Sequence, residues 1–171
     1  MSERPLRDLI TRLEELHLVV APVSTDVSIT SAPTHDSRLV TTGGIFVAIP
    51  GRIADGATFI ASAAERGAVA VLCEQQIASS VPLIVIRDAR AALAAAAAWW
   101  EGDPAEELIA IGVTGTDGKT TTSTFLSTAL TAAGLRTGLI STAISRVGGT
   151  QRAAAAHQTT PEAPALQRAL R

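Results

Sequence analysis

Residues 112–122 form a glycine-spaced segment that ends in a lysine and three threonines, Gly-Val-Thr-Gly-Thr-Asp-Gly-Lys-Thr-Thr-Thr. Its inner glycines, Gly115 and Gly118, allow a backbone to approach a ligand closely, with N–H groups directed at an anion. Lys119 supplies a positive charge that can reach the β- and γ-phosphates, and the Thr120 hydroxyl suits a Mg²⁺ ion. These residue types in this order predict a site for a nucleoside triphosphate.

The segment departs from the general phosphate-loop pattern at one position. That pattern has a glycine five residues before Gly118, where this chain has Val113. A glycine-rich turn with an incidental lysine is the alternative interpretation. The phosphate loop is favoured because an apolar strand at 108–113, the turn, the lysine and a helix at 120–133 follow in the required order, and the helix N-terminus adds partial positive charge.

Composition limits the class of protein. The chain has 171 residues and a net charge of −2, so no electrostatic attraction to nucleic acid or to an anionic membrane is indicated. Cys73 is the only cysteine and stands in an apolar run, which favours a small core residue over a nucleophile. No stretch is long and apolar enough to span a bilayer and the start is no secretion signal, so we expect a cytoplasmic protein without membrane insertion. Abundant aliphatic residues and alanines predict an α/β fold.

The first hundred residues alternate between helical and strand patterns. Asp88 is expected to cap a helix, and the polar segment 101–107 that follows is the best candidate for a domain boundary. The elements predicted before it are helices at 5–16, 57–66 and 88–100 and strands at 27–31, 45–49, 68–73 and 83–86.

The remaining residues continue the pattern. Gly134 is expected to end the helix of the phosphate loop, and residues 136–142 to form the second strand of a nucleotide-binding parallel sheet. Gly148-Gly149 predicts a hairpin. The segment 157–167 predicts the entry of another helix, with Thr160 as N-cap, Pro161 at the first position and Glu162 near the positive end of the dipole.

Residues 112–122 resemble the ATP loop of the Mur ligase family, the ATP-dependent amide-forming ligases that build the peptide of bacterial peptidoglycan. The family usually has Asn where this chain has Asp117, whose carboxylate we expect to turn away from the phosphates and bond its own turn. The resemblance implies that Lys119 is catalytic and that Thr120 holds Mg²⁺. The ATP contacts it implies are Gly115, Thr116, Asp117, Gly118, Lys119, Thr120 and Thr121.

Four segments of the first half, 36–38, 44–51, 55–60 and 63–71, resemble the UDP-binding amino-terminal domain of the same family in order and spacing. By that resemblance Ser37 bonds a uracil or ribose edge, and Arg52 pairs with pyrophosphate. Taken alone, Ser37 is an ordinary turn residue and Arg52 a solvated loop charge. His35 stands where relatives often have leucine. The substrate contacts implied here are His35, Ser37, Arg52, Ile53 and Ala54.

The segment Gln-Thr-Thr-Pro-Glu at 158–162 resembles the family member that acts on UDP-N-acetylmuramoyl-L-alanyl-D-glutamate. The resemblance implies that Gln158, Thr159 and Thr160 contact the muramoyl-dipeptide. It divides the chain into a UDP-substrate-binding domain at 1–101 and the start of a central ATP-binding domain at 102–171, built on a P-loop and a parallel sheet.

The expected activity is therefore ligation of a diamino acid to the muramoyl-dipeptide through an acyl phosphate, with ATP and Mg²⁺. The resemblance also implies that the central domain continues beyond these 171 residues, so we expect the chain alone to be an inactive fragment. Three alternatives are a ligase that adds the terminal dipeptide, a binding module without catalysis and an unrelated phosphate-loop kinase. Neither the amine that is added nor the oligomeric state follows from the sequence.

Overall fold

The structure is a computed structural model that describes residues 3–21, 23, 25–51, 54–141, 143–153 and 161–171, with the backbone alone at 151–153. The chain divides into two compact units, Met1–Asp103 and Pro104–Arg171. Within the described part of the chain, no helix combines the length and hydrophobicity that crossing a bilayer requires.

The first unit is built on a three-stranded parallel sheet in the order β3-β4-β5. Its strands are β3, Gly44–Ala48; β4, Ala68–Cys73; and β5, Leu83–Val85. The pairs Phe46–Val71 and Leu72–Ile84 fix the register. Two short strands, β1 at Arg4–Pro5 and β2 at Ser28–Ile29, pair antiparallel beside it, so the strand predicted at 27–31 is real but only two residues long.

Helices cover both faces of this sheet, because successive side chains of a strand point to opposite sides. Helix α2, Ile60–Glu65, packs on the face that carries Phe46, Ala48 and Val71. Helices α1, Leu6–Glu15, and α3, Ala89–Glu101, pack against each other, and α3 contacts β3 and β4. The aliphatic composition therefore produces the α/β layers that the sequence predicts, and Cys73 is buried in the core.

Local sequence explains where the elements of the first unit begin and end. The Asp88 carboxylate accepts hydrogen bonds from the N–H groups of Arg90 and Ala91 at 2.9 Å, which confirms the predicted N-cap of α3. Gly67 follows α2 with a φ of +97°, a conformation that glycine adopts without strain. Strand β4 has the bounds that the sequence predicts.

The second unit contains α4, Lys119–Ala132; β6, Leu139–Ile140; β7, Ile144–Val147; β8, Thr150–Ala153; and α5, Ala163–Leu170. Strands β6, β7 and β8 form an antiparallel sheet. The β7–β8 turn contains Gly148 and Gly149 with φ of +56° and +77°, which confirms the predicted hairpin. Gly134, with a φ of +85°, follows α4 as the sequence predicts.

Three sequence predictions for the second unit are wrong. Residues 108–113 form no strand, and the strand predicted at 136–142 is confined to Leu139–Ile140 and runs antiparallel to β7. A strand needs a neighbour for its backbone hydrogen bonds, and none of the described residues supplies one for 108–113. Helix α5 begins at Ala163 with Glu162 as its N-cap, so Pro161 is not its first residue, and Pro164 stands in its first turn.

The second unit also lacks a large core of its own among the residues described. Pro104 and Leu139 are the buried apolar side chains described there, whereas Ile109 is 93% exposed and Phe125 is 71% exposed. Strands of parallel sheets are normally covered on both faces, which is why they are apolar. Residues 108–113 have this apolar character, but no described strand or helix covers them.

Candidate functional site

The loop between Thr114 and Lys119 has the geometry of a phosphate cradle. Gly115 has a φ of +150° and Gly118 a φ of +77°, and Gly118 is the N-cap from which α4 begins. Among the described residues, the N–H groups from Thr116 to Lys119 donate to no protein acceptor. Four consecutive donors at a helix N-terminus match the oxygens of a phosphate chain, so the loop fits the group that the sequence predicts.

Lys119 is positioned at the mouth of this loop. Its ammonium group donates to the carbonyl oxygen of Gly115 at 2.6 Å and to that of Thr116 at 2.9 Å. These bonds hold the side chain back over the loop and leave the third ammonium hydrogen for a ligand. The charge therefore lies beside the unpaired N–H groups, where a phosphate would be bound.

The first turn of α4 supplies the remaining predicted ATP contacts. Thr120 is half-buried and Thr121 is exposed, and the Thr120 carbonyl accepts from Ser123 Oγ at 3.1 Å and Thr124 Oγ1 at 2.7 Å. The Asp117 carboxylate is exposed and accepts no hydrogen bond from any described residue. The bond predicted between Asp117 and its own turn is therefore not formed among the described residues.

The predicted uridine contacts of the first unit lie at the carboxyl edge of the parallel sheet. Thr34 forms a parallel β-bridge with Phe46 of β3. Its N–H donates to the Ile45 carbonyl at 3.0 Å, and its carbonyl accepts from the Val47 N–H at 2.8 Å. His35 and Ser37 follow directly, and both are half-buried. Ligands of open α/β sheets bind at this edge, where the loops leave the strands.

The loop after β3 reaches the same edge and is closed tightly at its base. Pro50 pairs with Asp55, and the Gly56 N–H donates to the Ile49 carbonyl at 3.0 Å. The Asp55 carboxylate accepts from the Ala57 N–H at 3.0 Å and fixes the turn that leads into α2. The predicted contact Ala54 is exposed in this loop, and Arg52 and Ile53 lie outside the described residues.

An ion pair stabilises the turn that carries Ser37. The Asp36 carboxylate caps the turn by accepting from the Arg38 N–H at 3.0 Å, and it pairs with the Arg38 guanidinium at 2.7 Å. The hydrogen bonds from Arg38 lower the pKa of Asp36 from 3.8 to about 2. The motif at 36–38 predicts no role for this pair, although an aspartate before a turn is a common capping signal.

The predicted dipeptide contacts Gln158, Thr159 and Thr160 lie outside the described residues. In the described part of the chain, no group of three or more His, Cys, Asp and Glu residues could hold a metal ion. The Mg²⁺ predicted here would instead be held by a threonine hydroxyl and phosphate oxygens, which need no such cluster.

A glycine-rich loop at a helix start and an α/β unit with a parallel sheet define the class of protein: an α/β protein whose loop has the geometry of an anion cradle. Two family models match the chain, "Mur ligase family, catalytic domain" over residues 32–100 and "Mur ligase middle domain" over residues 113–171. The chain belongs to the Mur ligase family.

Individual relatives agree with this assignment. The chain is 48% identical over 151 residues to a UDP-N-acetylmuramyl-tripeptide synthetase of Deinococcus radiodurans, covering 86% of this chain and 31% of that protein. It is 44% identical over 165 residues to a UDP-N-acetylmuramoyl-L-alanyl-D-glutamate–2,6-diaminopimelate ligase of Chlorobium phaeobacteroides, covering 94% of this chain and 31% of that protein. The chain thus spans under a third of each of these two relatives.

A solved structure has the same fold. A UDP-N-acetylmuramoyl-L-alanyl-D-glutamate–2,6-diaminopimelate ligase superposes with a TM-score of 0.63 at 24% identity, covering 93% of this chain and 32% of that chain. The mixed α/β fold with a parallel sheet that the sequence predicts is therefore confirmed. Membership of this family also removes the alternative of an unrelated phosphate-loop kinase.

Proposed function

We propose that this chain supplies the uridine-nucleotide site and the ATP phosphate loop of a cytoplasmic ligase that adds a diamino acid to UDP-N-acetylmuramoyl-L-alanyl-D-glutamate in peptidoglycan synthesis. The observation that carries the proposal is the loop at 115–119, in which unpaired N–H groups and the Lys119 ammonium converge at the start of α4. The names of the two relatives support the substrate, and the segment at 158–162 favours this step over addition of the terminal dipeptide.

The chemistry requires activation of a carboxylate, which is a poor electrophile because its charge is delocalised. ATP with Mg²⁺ supplies a γ-phosphoryl group that converts the carboxylate to an acyl phosphate, from which an amine displaces phosphate. The residues of this chain contribute positioning and charge neutralisation. The loop N–H groups would hold the phosphate chain, Lys119 would stabilise charge on the transferring group, and Thr120 would hold the metal ion.

In the first unit, the carboxyl edge of the sheet would hold the uridine nucleotide away from the reacting carboxylate. Ser37 would hydrogen-bond the uracil or ribose, and the loop at 51–54 would lie against the nucleotide. Such remote contacts fix the substrate and convert binding energy into correct placement of the reacting group.

Isothermal titration of the 171-residue chain with UDP-N-acetylmuramoyl-L-alanyl-D-glutamate, without ATP, tests the uridine site. We expect saturable binding that Ser37→Ala weakens by about 1 kcal/mol, the usual size of one hydrogen bond. Ser62→Ala is a matched control, since Ser62 lies in α2 outside the predicted site. Absence of binding by the folded chain, or equal affinity of the Ser37 variant and wild type, would contradict the assignment.

A second candidate function is a uridine-nucleotide binding module without catalysis. It is favoured by the contrast between the two units, since the first has a buried core and the described part of the second buries only the apolar side chains of Pro104 and Leu139. Phosphate release from ATP in the presence of the muramoyl-dipeptide and a diamino acid separates the two. Turnover by this chain would exclude the module, whereas binding without turnover in a chain extended to the length of its relatives would exclude the ligase.

A further inference from the structure

The end of helix α3 is the place where the chain leaves the first unit, since the division between the two units falls after Asp103. Gly102 has a φ of +81° and Asp103 a φ of +55°, and the Asp103 N–H donates to the Ala98 carbonyl at 2.8 Å. Many helices end in one left-handed residue, which is usually glycine. Asp103 therefore adds a second left-handed residue that the helix ending itself does not require.

The left-handed conformation of Asp103 is strained. His17 and Asp103 are the non-glycine residues with a positive φ among those that the structure describes. Aspartate enters this region more readily than most residues, but at a higher energy than extended backbone. The next residue is Pro104, and a residue before proline favours extended backbone because its own N–H and Cβ crowd the proline ring. An interaction from outside this segment is therefore needed to hold Asp103 in its conformation.

Arg12 of α1 supplies that interaction. Its two terminal guanidinium nitrogens donate to the two carboxylate oxygens of Asp103 at 2.7 and 2.6 Å, and both side chains are largely buried, with 31% and 23% exposed. Two such bonds fix the orientation of a carboxylate as well as its position. Helix α1 is itself fixed, because Leu9 and Leu13 are fully buried in the core. The pair thus joins a rigid helix to the exit of the first unit.

A second cation fixes the last turn of α3 just before the exit. Arg4 Nη1 donates to the Trp99 carbonyl, and the Arg4 guanidinium lies 5.0 Å from the centroid of the Trp99 ring. Cations are favourable at the C-terminus of a helix, where the carbonyl groups carry partial negative charge. Because this turn is held in place, the backbone angles of Asp103 decide in which direction the chain continues.

We propose that Arg12 and Asp103 are positioning residues whose ion pair fixes the direction in which the chain leaves the first unit. The inference rests on the proposed function, in which the first unit holds the uridine nucleotide and the residues after 103 carry the ATP loop. Without the pair, Asp103 relaxes to extended backbone and the chain leaves in another direction. The reacting carboxylate and the γ-phosphoryl group then meet less often, because productive alignment tolerates only small displacements.

NMR spectroscopy of the 171-residue chain tests the conformation of Asp103. A residue with a positive φ gives a strong nuclear Overhauser effect between its own amide and α protons, whereas extended backbone gives a weak one. Arg12→Met should weaken this signal at Asp103 and speed hydrogen exchange of the Asp103 amide about tenfold, the effect of losing a charged hydrogen bond. Arg7→Met is the matched control, because it makes the same substitution in the same helix at a side chain that is 71% exposed.

Two variants at Asp103 keep the test independent of the stability of α1. Asparagine tolerates the left-handed region and accepts a hydrogen bond from Arg12, whereas alanine does neither. Asp103→Asn should therefore keep the strong amide-to-α signal, and Asp103→Ala should lose it. A positive φ retained at this position in Arg12→Met or in Asp103→Ala would overturn the proposal.

Kinetics test the positioning role in a chain extended to the full length of its relatives. Arg12→Met should lower kcat at least about tenfold and leave KM for the muramoyl-dipeptide substrate unchanged, and Asp103→Asn should retain more activity than Asp103→Ala. An unchanged kcat in an Arg12→Met variant with an altered Asp103 conformation would refute the role. If the folded wild-type chain binds no UDP, the proposed function is wrong, whereas the NMR result on Asp103 does not depend on it.

Discussion

The Gly56 N–H donates to the Ile49 carbonyl at the end of β3 and closes the loop that carries the predicted uridine contact Ala54. A substitution at Gly56 therefore perturbs both the fold of the first unit and its predicted uridine site. A Cβ added at Gly56 would lie 2.6 Å from both the N and the O of Ile49 and 2.9 Å from the C of Ala48. These are backbone atoms at the end of β3, so no side-chain rotation relieves the contact. An alanine therefore has to displace the strand end or the base of the loop at 50–55.

The cost of Gly56→Ala follows from three contributions. Overpacking against a rigid neighbour costs about 1–3 kcal/mol. Displacement also weakens the hydrogen bond from Gly56 N–H to the Ile49 carbonyl, which contributes about 1 kcal/mol. The smaller entropy of an unfolded chain with alanine offsets about 0.4–1 kcal/mol. We expect the free energy of unfolding of the first unit to fall by about 2 kcal/mol, or roughly 10 °C in Tm for a unit of this size.

Tryptophan fluorescence during urea and thermal unfolding measures this loss, because both tryptophans lie in the first unit. Ser62→Ala is the control within the same unit, since Ser62 lies in α2 and the substitution adds no atom. The control should leave the free energy of unfolding within about 0.5 kcal/mol of wild type. Gly56→Ala should also weaken UDP binding below its unfolding midpoint, because the hydrogen bond from the Gly56 N–H closes the loop that carries the predicted contact Ala54.

The steric argument is refuted if Gly56→Ala and Ser62→Ala unfold at the same urea concentration. If Gly56→Ala is destabilised but binds UDP with wild-type affinity, the steric clash is supported and the predicted contact between this loop and the nucleotide is contradicted.

Three further predictions concern charges. Arg38→Met should destabilise the first unit above about pH 4 and have no effect below about pH 2, because Arg38 lowers the pKa of Asp36. A carboxylate with a lowered pKa contributes stability that is lost as the pH falls through its folded-state pKa. Urea midpoints measured across this pH range check the prediction. A double-mutant cycle of Arg12→Met and Asp103→Asn should give a coupling energy of about 1–2 kcal/mol for the half-buried bidentate pair, and a value near zero would contradict it. In a chain extended to the full length of its relatives, Lys119→Ala should lower kcat/KM for ATP at least about a hundredfold, and a loss of less than tenfold would remove Lys119 from the transition state.

Features that depend on neighbouring residues were predictable from the sequence. The bounds of β4 and the Asp88 cap of α3 follow from a short apolar run and from one side chain next to a helix start. The phosphate loop is likewise contiguous, so the order of its glycines, lysine and threonines already specifies a cradle followed by a helix. The residue types within about one turn of each other determine these features, whatever the rest of the molecule does.

Features that depend on distant partners were not predictable in the same way. Residues 108–113 have the composition of a strand, but a strand exists only where a second segment accepts its hydrogen bonds, and none of the described residues does so. Residues 139–140 pair antiparallel with β7, and the Ser141 N–H donates to the Ile144 carbonyl at 3.0 Å beside this pairing, which the apolar pattern of 136–142 does not reveal.

The sequence by itself determined that this chain has a glycine-rich loop that opens a helix, an α/β first unit and the motifs of a Mur ligase. Tertiary structure alone decided which groups are satisfied and which are not. It left Nδ1 of His35 without a partner, fitted the Gly56 backbone against Ile49, and bonded Lys119 to the carbonyls of its own loop. The physical reason is that burial and contact distance depend on segments far apart in the chain, whereas helix caps and glycine turns depend on neighbouring residues.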